Sequence, residues 1–545
     1  MNPSKISVTD YHQRSKHRLQ QYANGPDGLD WASQPNPFRE FSGCPKIELP
    51  LATPKLHASF ADLYQRDKNP SAKTDADAIG ALFELAMGLS AWKVAGDTRW
   101  ALRNNPSSGN LHPTESYLIT SGIDAIAAGV YHYHSYSHCL EQRCAFTTSA
   151  PADSLLIGLS SIHWREAWKY GERAYRYCQH DVGHAIAAFS YAAATLGWQV
   201  EVLEPCSDEH VNALLGLNRT QDFTNAEHET ADVLLQIHPR AERRSEAESE
   251  AGKEVSPVNL DELASCAQQG EWHGLANGLS PPSHIDWPVI DDISHTCIKP
   301  ETESAGWCPP PLPDLMACPS TALANRIIQQ RRSAQAFDGV STLPLAHFYR
   351  MLDCVLPRHN TLPFDSLNFA PRIHLAIFVH RVEGLESGLY ILARSASGEK
   401  MLRENVSADF DWVKPATTPE HLALYLLTAG NGENAARAIS CHQDIAADSA
   451  FSLGMLAEFD SNIEHKPWQY RQLFWEAGML GQTLYLEAEA ADVSATGIGC
   501  YFDDTLHEIL GIENTALQSM YHFTVGTAIT DERIATEPAY QHLKE

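Results

Sequence analysis

The sequence predicts a mixed α+β protein made of two copies of one module. Three observations predict it. Tyr175-Arg176, with Asp181 and Gly183 after it, recurs as Tyr470-Arg471 with Glu476 and Gly478 after it. In the same register and without a gap, Asp208, Leu215 and Gly216 line up with Asp503, Leu510 and Gly511. Both halves carry β-branched or aromatic runs, at 116–120 and 129–133 and again at 373–379 and 388–392. These runs do not alternate with helices as a strict βαβ protein requires.

Each Tyr-Arg pair opens a helix. Val182, Ile186, Phe189, Ala193 and Leu196 recur at three and four residues, as do Leu473, Ala477, Leu480, Leu484, Ala488 and Ala491, which puts each set on one helix face. The stretches beginning at Asp208 and Asp503 read as short helices with an acidic start and a closing glycine. Between the copies the composition changes. Residues 241–255 are charged and small, as in an exposed linker or a solvated helix. Residues 300–319 hold six prolines, which forbids helix and favours extended chain. Trp272, Leu275, Leu279, Ile285, Trp287, Val289 and Ile290 predict that the 272–290 stretch docks on a module surface. The division expected is a first unit over 1–239, a strap over 240–320 and a second unit over 321–545.

Composition excludes several classes. At 545 residues the chain is too long for one ordinary domain, and length alone suggests roughly three to four units. It is 43% apolar and 20% charged, which excludes collagen, a coiled coil and wholesale disorder. No apolar run approaches the ~18–20 residues of a membrane helix. The first eighteen residues have no apolar core, so no secretory signal is expected. A net charge of -28 argues against nucleic acid and anionic membranes as partners. Twelve scattered cysteines without a CxxC read as reduced thiols in a cytoplasmic protein. The 26 histidines form no HExxH and no Cys/His ligand spacing, so no metal is expected. His132 and His134 share a strand face, as a metal pair or in packing. Cys441-His442 matches no nucleophile motif.

Four segments carry chemistry. Pro106-Ser107-Ser108-Gly109-Asn110 precedes a strand. Its small residues let backbone approach a flat ligand, and its hydroxyls and amide can bond a heterocycle edge; the same residues also build a plain β-turn. Arg331-Arg332-Ser333 ends a helix expected to start near Thr321. It offers bidentate donors for phosphate, or is a solvated basic pair at a helix C-terminus. Gly497-Ile498-Gly499 permits backbone-to-ligand contact or a tight turn. Lys169-Tyr170 is a surface lysine lying along an aromatic, or a desolvated lysine able to take a proton.

Together, PSSGNLHPTE at 106–115, RRSAQAF at 331–337, the two helix repeats, the 169–177 stretch and the opening 11–17 resemble the nitroreductase-like flavoproteins. Within them they resemble the SagB-type dehydrogenases, which include the azoline oxidases of thiazole- and oxazole-containing peptide biosynthesis. The resemblance implies a nitroreductase-like fold that binds FMN at a dimer interface, here an intrachain pseudo-dimer that stands as a monomer or pairs further through exposed edges. It implies that Arg331, Arg332 and Ser333 hold the phosphate and ribityl end, with Arg533 adding charge. Pro106, Ser107, Ser108, Gly109 and Asn110 then lie at the ring, and Gly497, Ile498 and Gly499 near its N5 edge. Lys169 and Tyr170 become the proton-removing, catalytic pair. One complete site per chain is expected. Val202-Leu203-Glu204 stands where the second half has its glycines, residues 366–371 replace the Pro-Ser-Ser segment, and a mirror set of Arg14, Ser15 and Lys16 is lost or altered. The expected function is an FMN-dependent oxidoreductase acting on a small molecule or peptide. Its reaction is azoline dehydrogenation, or reduction of quinones or nitroaromatics with NAD(P)H as donor. A non-catalytic binding module of the same fold and a histidine-based metal enzyme are the alternatives.

Overall fold

The computed structural model describes residues 6–65, 68–239, 258–281, 285–459 and 462–544. Two 22-residue helices, Ala174–Thr195 and Gln469–Ala490, realise the two apolar stripes and pack on each other at the centre. They cross at the repeated glycines. A Cβ on Gly183 would overlap the Trp475 carbonyl, and one on Gly478 would overlap the His180 carbonyl. Only hydrogen at both positions allows so close a crossing.

Each central helix leads into an edge strand, a short helix and a 10-residue strand. In the first half these are Trp198–Val202, Asp208–Leu215 and Thr230–Pro239. In the second they are Ser494–Ile498, Asp503–Leu510 and Leu517–Gly526. Gly216 (φ 69) and Gly511 (φ 66) close the short helices in the left-handed conformation, as their sequence position predicts.

The first sheet runs Glu271–Trp272, Cys139–Ala145, Gly129–His134, Thr114–Thr120, Leu155–Ser161, Thr230–Pro239, Trp198–Val202. The second runs Ala423–Ala429, Gly388–Ala393, Ile373–Val379, Phe451–Glu458, Leu517–Gly526, Ser494–Ile498. Their pairings are antiparallel, which makes the class α+β. One core, holding Val182 and Ile186 beside Leu480 and Leu484, is shared by the halves. Each sheet has a separate apolar layer, around Leu214 and Leu215 in one half and Leu506 and Leu510 in the other.

The halves also exchange charges and chain ends. Arg176 binds Asp503 at 2.6 Å, and its register mate Arg471 binds Asp208 at 2.9 Å. The N-terminal helix Val8–Arg14 lies against the second half, where His12 meets Tyr470 and Gln518. The late strand Ala535–Glu537 pairs with Leu89–Ala95 of the first half, beside Thr98–Arg103.

The 241–255 stretch lies outside the described residues. The rest of the strap is built into the protein. Helix Leu260–Gln269 contributes Leu263 and Ala267 to the first half's outer layer, and Val289, Ile290 and Trp287 pack on the shared core. Leu275 and Ile285 do not dock; they are 56% and 55% exposed. Residues 297–319 form neither helix nor strand, as their prolines require. The next helix starts at Ala324 rather than near Thr321. The Ala322 carbonyl accepts the Phe60 N–H and the Ala324 N–H donates to the Ala58 carbonyl, which holds 322 and 323 out of the helix.

Gly183→Ala is expected to destabilise the fold by about 1–3 kcal/mol, because the added methyl meets backbone at the crossing. The urea midpoint of the variant, compared with wild type, measures it.

Candidate functional site

A cleft of about 600 Å³ opens between the halves. Its first wall is the loop that joins Thr98–Arg103 to Thr114–Thr120, carrying Pro106, Ser107, Ser108, Gly109 and Asn110. Gly109 and Asn110 take φ of 63 and 59. That turn is locked from inside. The Asn110 side chain donates to the Ala101 carbonyl at 2.8 Å and pairs with His112 Nε2 at 2.9 Å. Asn110 therefore lines the cleft while its amide group serves the loop. Ser107 Oγ accepts the His112 N–H at 2.8 Å, and the Ser108 N–H points at Asp181 Oδ1, 3.4 Å away.

The second wall comes from the other half. A parallel bridge between Ser333 and Ala495, with the Ala334 N–H on the Ala495 carbonyl at 2.9 Å, sets Arg331, Arg332 and Ser333 beside the strand that carries Gly497, Ile498 and Gly499. Arg331 is 4% exposed. Its Nη2 donates to the Arg103 carbonyl at 3.2 Å, while Nε and Nη1 have no partner. Its guanidinium lies 4.9 Å from the Tyr485 ring centre. Arg332 donates to the carbonyls of Gln329, Arg331 and Ser90. Burial pulls Arg331 below the ordinary arginine value, and burial with the Arg331 charge brings Arg332 down to about 10. Such shifts mark positive charge held out of water, with the Glu489 carboxylate only partly offsetting the burial.

The two glycines have a reason the sequence did not reveal. A Cβ on Gly497 would overlap the Tyr521 hydroxyl, and one on Gly499 would overlap the Tyr177 ring. The Gly497 N–H already donates to Tyr485 Oη at 2.8 Å. Tyr485 Oη also meets Ser333 Oγ at 2.9 Å, so one phenol ties both second-half motifs together.

Lys169 and Tyr170 end the helix His163–Tyr170. Tyr170 lines the cleft. The position of a Cβ on Gly109 lies 2.7 Å from Tyr170 Oη and 3.2 Å from Lys169 Nζ, so both head groups converge over that glycine. Burial, then the Glu166 charge, raises Tyr170 well above the ordinary tyrosine value. Arg533 is not brought in. Its side chain is 88% exposed and clamps Asp531 at 2.7 Å, whereas Asp531 and Ile534 themselves line the cleft. Residues 532 and 533 lie in a turn closed by the Ile534 N–H on the Asp531 carbonyl at 3.1 Å, and the turn carries the Arg533 side chain out to solvent.

Sequence reading missed a carboxyl pair. Asp181 lines the cleft, and Ser107 Oγ reaches Glu166 Oε1 at 3.5 Å. Asp181 Oδ2 and Glu166 Oε2 have no hydrogen-bond partner. Burial raises both well above the carboxylate range, and Glu166 is raised further by Asp181. Asp181 belongs to the repeat, which was a usable signal; Glu166 carries none. His184, Tyr177, Tyr485, Arg103 and Cys500 also line the cleft.

The mirror position is closed. Glu476, the register mate of Asp181, is paired with Arg394 and accepts the Arg372 N–H at 2.8 Å. The strap crosses Glu204, whose carboxylate accepts the Ala305 N–H at 2.9 Å, and Asn368 donates to Glu201 at 3.1 Å. Arg14 pairs with Glu172, Ser15 Oγ accepts from Arg176 Nε at 2.9 Å and Lys16 pairs with Asp504 at 2.6 Å. His132 is also engaged, between Glu115 and Glu141 at 3.0 Å each. Burial opposes its charge, but the two carboxylates outweigh burial and raise it to about 9. Among the described residues no group of three or more His, Cys, Asp and Glu is arranged to hold a metal ion. Among them no helix is long and apolar enough to cross a membrane.

No protein-family model matches the chain, and no curated protein matches it. Solved structures do. A protein described as a nitroreductase from Anabaena variabilis superposes with a TM-score of 0.65 at 21% identity, over 96% of this chain and 100% of that one. Two partial matches are weaker. A nitroreductase-type protein from Ralstonia eutropha gives a TM-score of 0.28 at 18% identity, over 42% of this chain and 93% of that one. The Escherichia coli microcin synthetase McbBCD complex with truncated pro-MccB17 bound gives 0.25 at 16% identity, over 44% and 85%. The whole-chain likeness gives this protein the nitroreductase fold, with two nitroreductase-like copies in one chain.

Proposed function

We propose that the cleft binds one FMN per chain and that the protein is an FMN-dependent oxidoreductase. The observation that carries this reading is Arg331, a buried arginine lining the cleft with two unpartnered donors. An unpaired buried guanidinium is costly. A phosphate accepting from Nε and Nη1 removes that cost through charge-assisted bonds. Arg332 adds charge beside it. The Pro106–Gly109 backbone and the Gly497–Gly499 turn offer opposed walls for a flat ring, in a cleft of the size that cofactors fill. When bound, FMN supplies the two-electron hydride chemistry.

The protein's own groups handle protons. Tyr170, Glu166 and Asp181 are all held in their protonated forms by burial. Tyr170 and Asp181 line the cleft and can give a proton there when the substrate is reduced, with Glu166 behind Ser107. Lys169 Nζ stands beside Tyr170 at Gly109, where it can accept one when the substrate is oxidised. That pair supports the finer reading, in which a small molecule or an azoline-bearing peptide is dehydrogenated. The likeness to SagB-type dehydrogenases supports it too. NAD(P)H is the donor if the chain runs in the reductive direction. Asn110 keeps the loop's shape in this scheme, and Arg533 takes no part.

Released flavin should amount to about one FMN per chain. Arg331→Ala should weaken FMN binding roughly 10- to 100-fold, read by fluorescence titration; unchanged affinity would sink the phosphate role. Lys169→Ala should slow reduction of the flavin-loaded protein by a thiazoline-bearing peptide about 100-fold while flavin content holds. Reduction by NADPH alone, with no response to the peptide, would select the reductase direction.

Asp181 gives a prediction in pH. Its folded-state pKa lies above its unfolded value, so its contribution to stability is complete in acid. That contribution is lost as pH rises from about 4 through the raised value. Asp181→Asn should therefore be more stable than wild type near about pH 8, and the gap should close towards about pH 4. Thermal unfolding across that range tests the sign.

A further inference from the structure

Cys441 and Cys500 are 59 residues apart in the chain, yet their sulfurs stand 2.8 Å apart. Cys500 directly follows the Gly497–Gly499 turn and lines the cleft. Cys441 lies just beyond the helix Glu433–Ile439. Cys441 and His442 take φ of 51 and 60. Two consecutive non-glycine residues in the left-handed region mark a backbone held against its preference. The Gln443 side chain fastens the two loops, donating to the Ser440 carbonyl at 2.9 Å and the Cys500 carbonyl at 3.1 Å. Both cysteines are half-buried, and Cys441 faces the phenol of Tyr22, which is 51% exposed. Among the described residues no other two cysteine sulfurs make such a contact. Disulfides in reducing compartments are characteristically catalytic or sensing rather than structural.

We propose that Cys441 and Cys500 form a redox-active dithiol that passes two electrons to FMN in the cleft, with an external dithiol as the reductant that restores it. The proposal rests on the cofactor reading above. The electrostatics agree with it. The Cys441 thiol's hydrogen bond lowers Cys500, and His17 and Arg173 lower it further against burial. The same bond, with burial, raises Cys441. The resting pair is thus a Cys500 thiolate and a Cys441 thiol.

The step balances. The Sγ–Sγ bond forms and the Cys441 S–H bond breaks. The two electrons and the one proton released go to oxidised FMN, giving its reduced anion. A thiolate of the external dithiol then attacks the Cys441 sulfur, which does not line the cleft. Cys500 leaves as the thiolate, the better leaving group of the two. The external dithiol becomes a disulfide, one of its protons returns to Cys441 and the other goes to solvent.

An anaerobic dithionite titration of the FMN-loaded, air-oxidised protein tests this. Wild type should take up about four electron equivalents per FMN, two for the flavin and two for the disulfide, while Cys441→Ser and Cys500→Ser should each take up about two. Peptide mapping should find a Cys441–Cys500 cross-link before, and not after, treatment with dithiothreitol. Wild type with its full FMN taking up only about two equivalents would overturn the proposal. A chain with no FMN in its visible spectrum would instead overturn the cofactor reading, and the electron path with it. The peptide map, which needs no flavin, keeps the two failures apart. FMN retained in both variants shows that they fold.

Discussion

Two buried ion pairs exchanged between the halves hold the frame of this protein. Arg176 on the first central helix meets Asp503 of the second half, and Arg471 on the second central helix meets Asp208 of the first. Taking charges out of water costs several kcal/mol per ion unless a partner is held in place. Each arginine therefore dictates where the other half's short helix begins. The glycine crossing at Gly183 and Gly478 brings the helices close enough for both reaches to succeed at once. The first pair does more. Arg173 joins it at 2.9 Å and also donates to the Gly499 carbonyl at 3.4 Å. The turn in the second wall of the cleft is thus tied to the helix that carries Asp181 in the first.

The same frame produces an open cleft on one side and a closed one on the other. Position in the repeat is equal; what reaches each position is not. Asp181 keeps an unpartnered oxygen, whereas Glu476 is neutralised by Arg394 and by backbone N–H groups. Asp208 takes the Lys299 N–H at 3.0 Å, which anchors the strap across the first half's edge strand. Asp503 instead takes the His17 N–H at 2.9 Å, from a segment that passes beside the cleft without covering it. A prolyl strap cannot fold away into helix or sheet, so once anchored it stays where Lys299 puts it.

What the sequence showed and what it hid follow one physical division. Helical period, the register of the repeat and the glycine closures of the short helices are local, and all were legible. So were the segments around Ser107, Arg331 and Gly497, because turn and cation chemistry leave compositional marks. The details of those segments depended on contacts from far away. Gly497 and Gly499 read as open backbone, but Tyr521 and Tyr177 explain them. Asn110 read as a ring-edge donor, but its positive-φ turn consumes the amide. Arg533 read as a phosphate charge, but Asp531 two residues earlier captures it. Cys441-His442 matched no nucleophile motif, and Cys500, 59 residues on, is brought to it only by the fold.

The electrostatics of the cleft run against those of the chain. A net charge of -28 repels anions at long range, so an anionic ligand gains nothing from steering. Its binding must rest on short contacts inside the cleft, where Arg331 and Arg332 are desolvated and Arg331 keeps two donors that the protein itself does not satisfy. Elsewhere in the same cleft the charge balance reverses. Asp181, Tyr170 and Tyr177 line it, Glu166 stands behind Ser107, and burial holds each protonated. A group of acids that water cannot ionise is a reserve of protons beside a site whose positive charges are fixed. The proposed two-electron chemistry would use that arrangement, because electrons delivered without protons leave a buried anion with no solvent to stabilise it. For the proposed chemistry the fold draws Arg331 and Arg332 from one half and the exchangeable protons from the other, whose Arg103 also lines the cleft. The cleft is complete only where the halves meet, because Arg331 and Arg332 come from one and Tyr170 and Asp181 from the other.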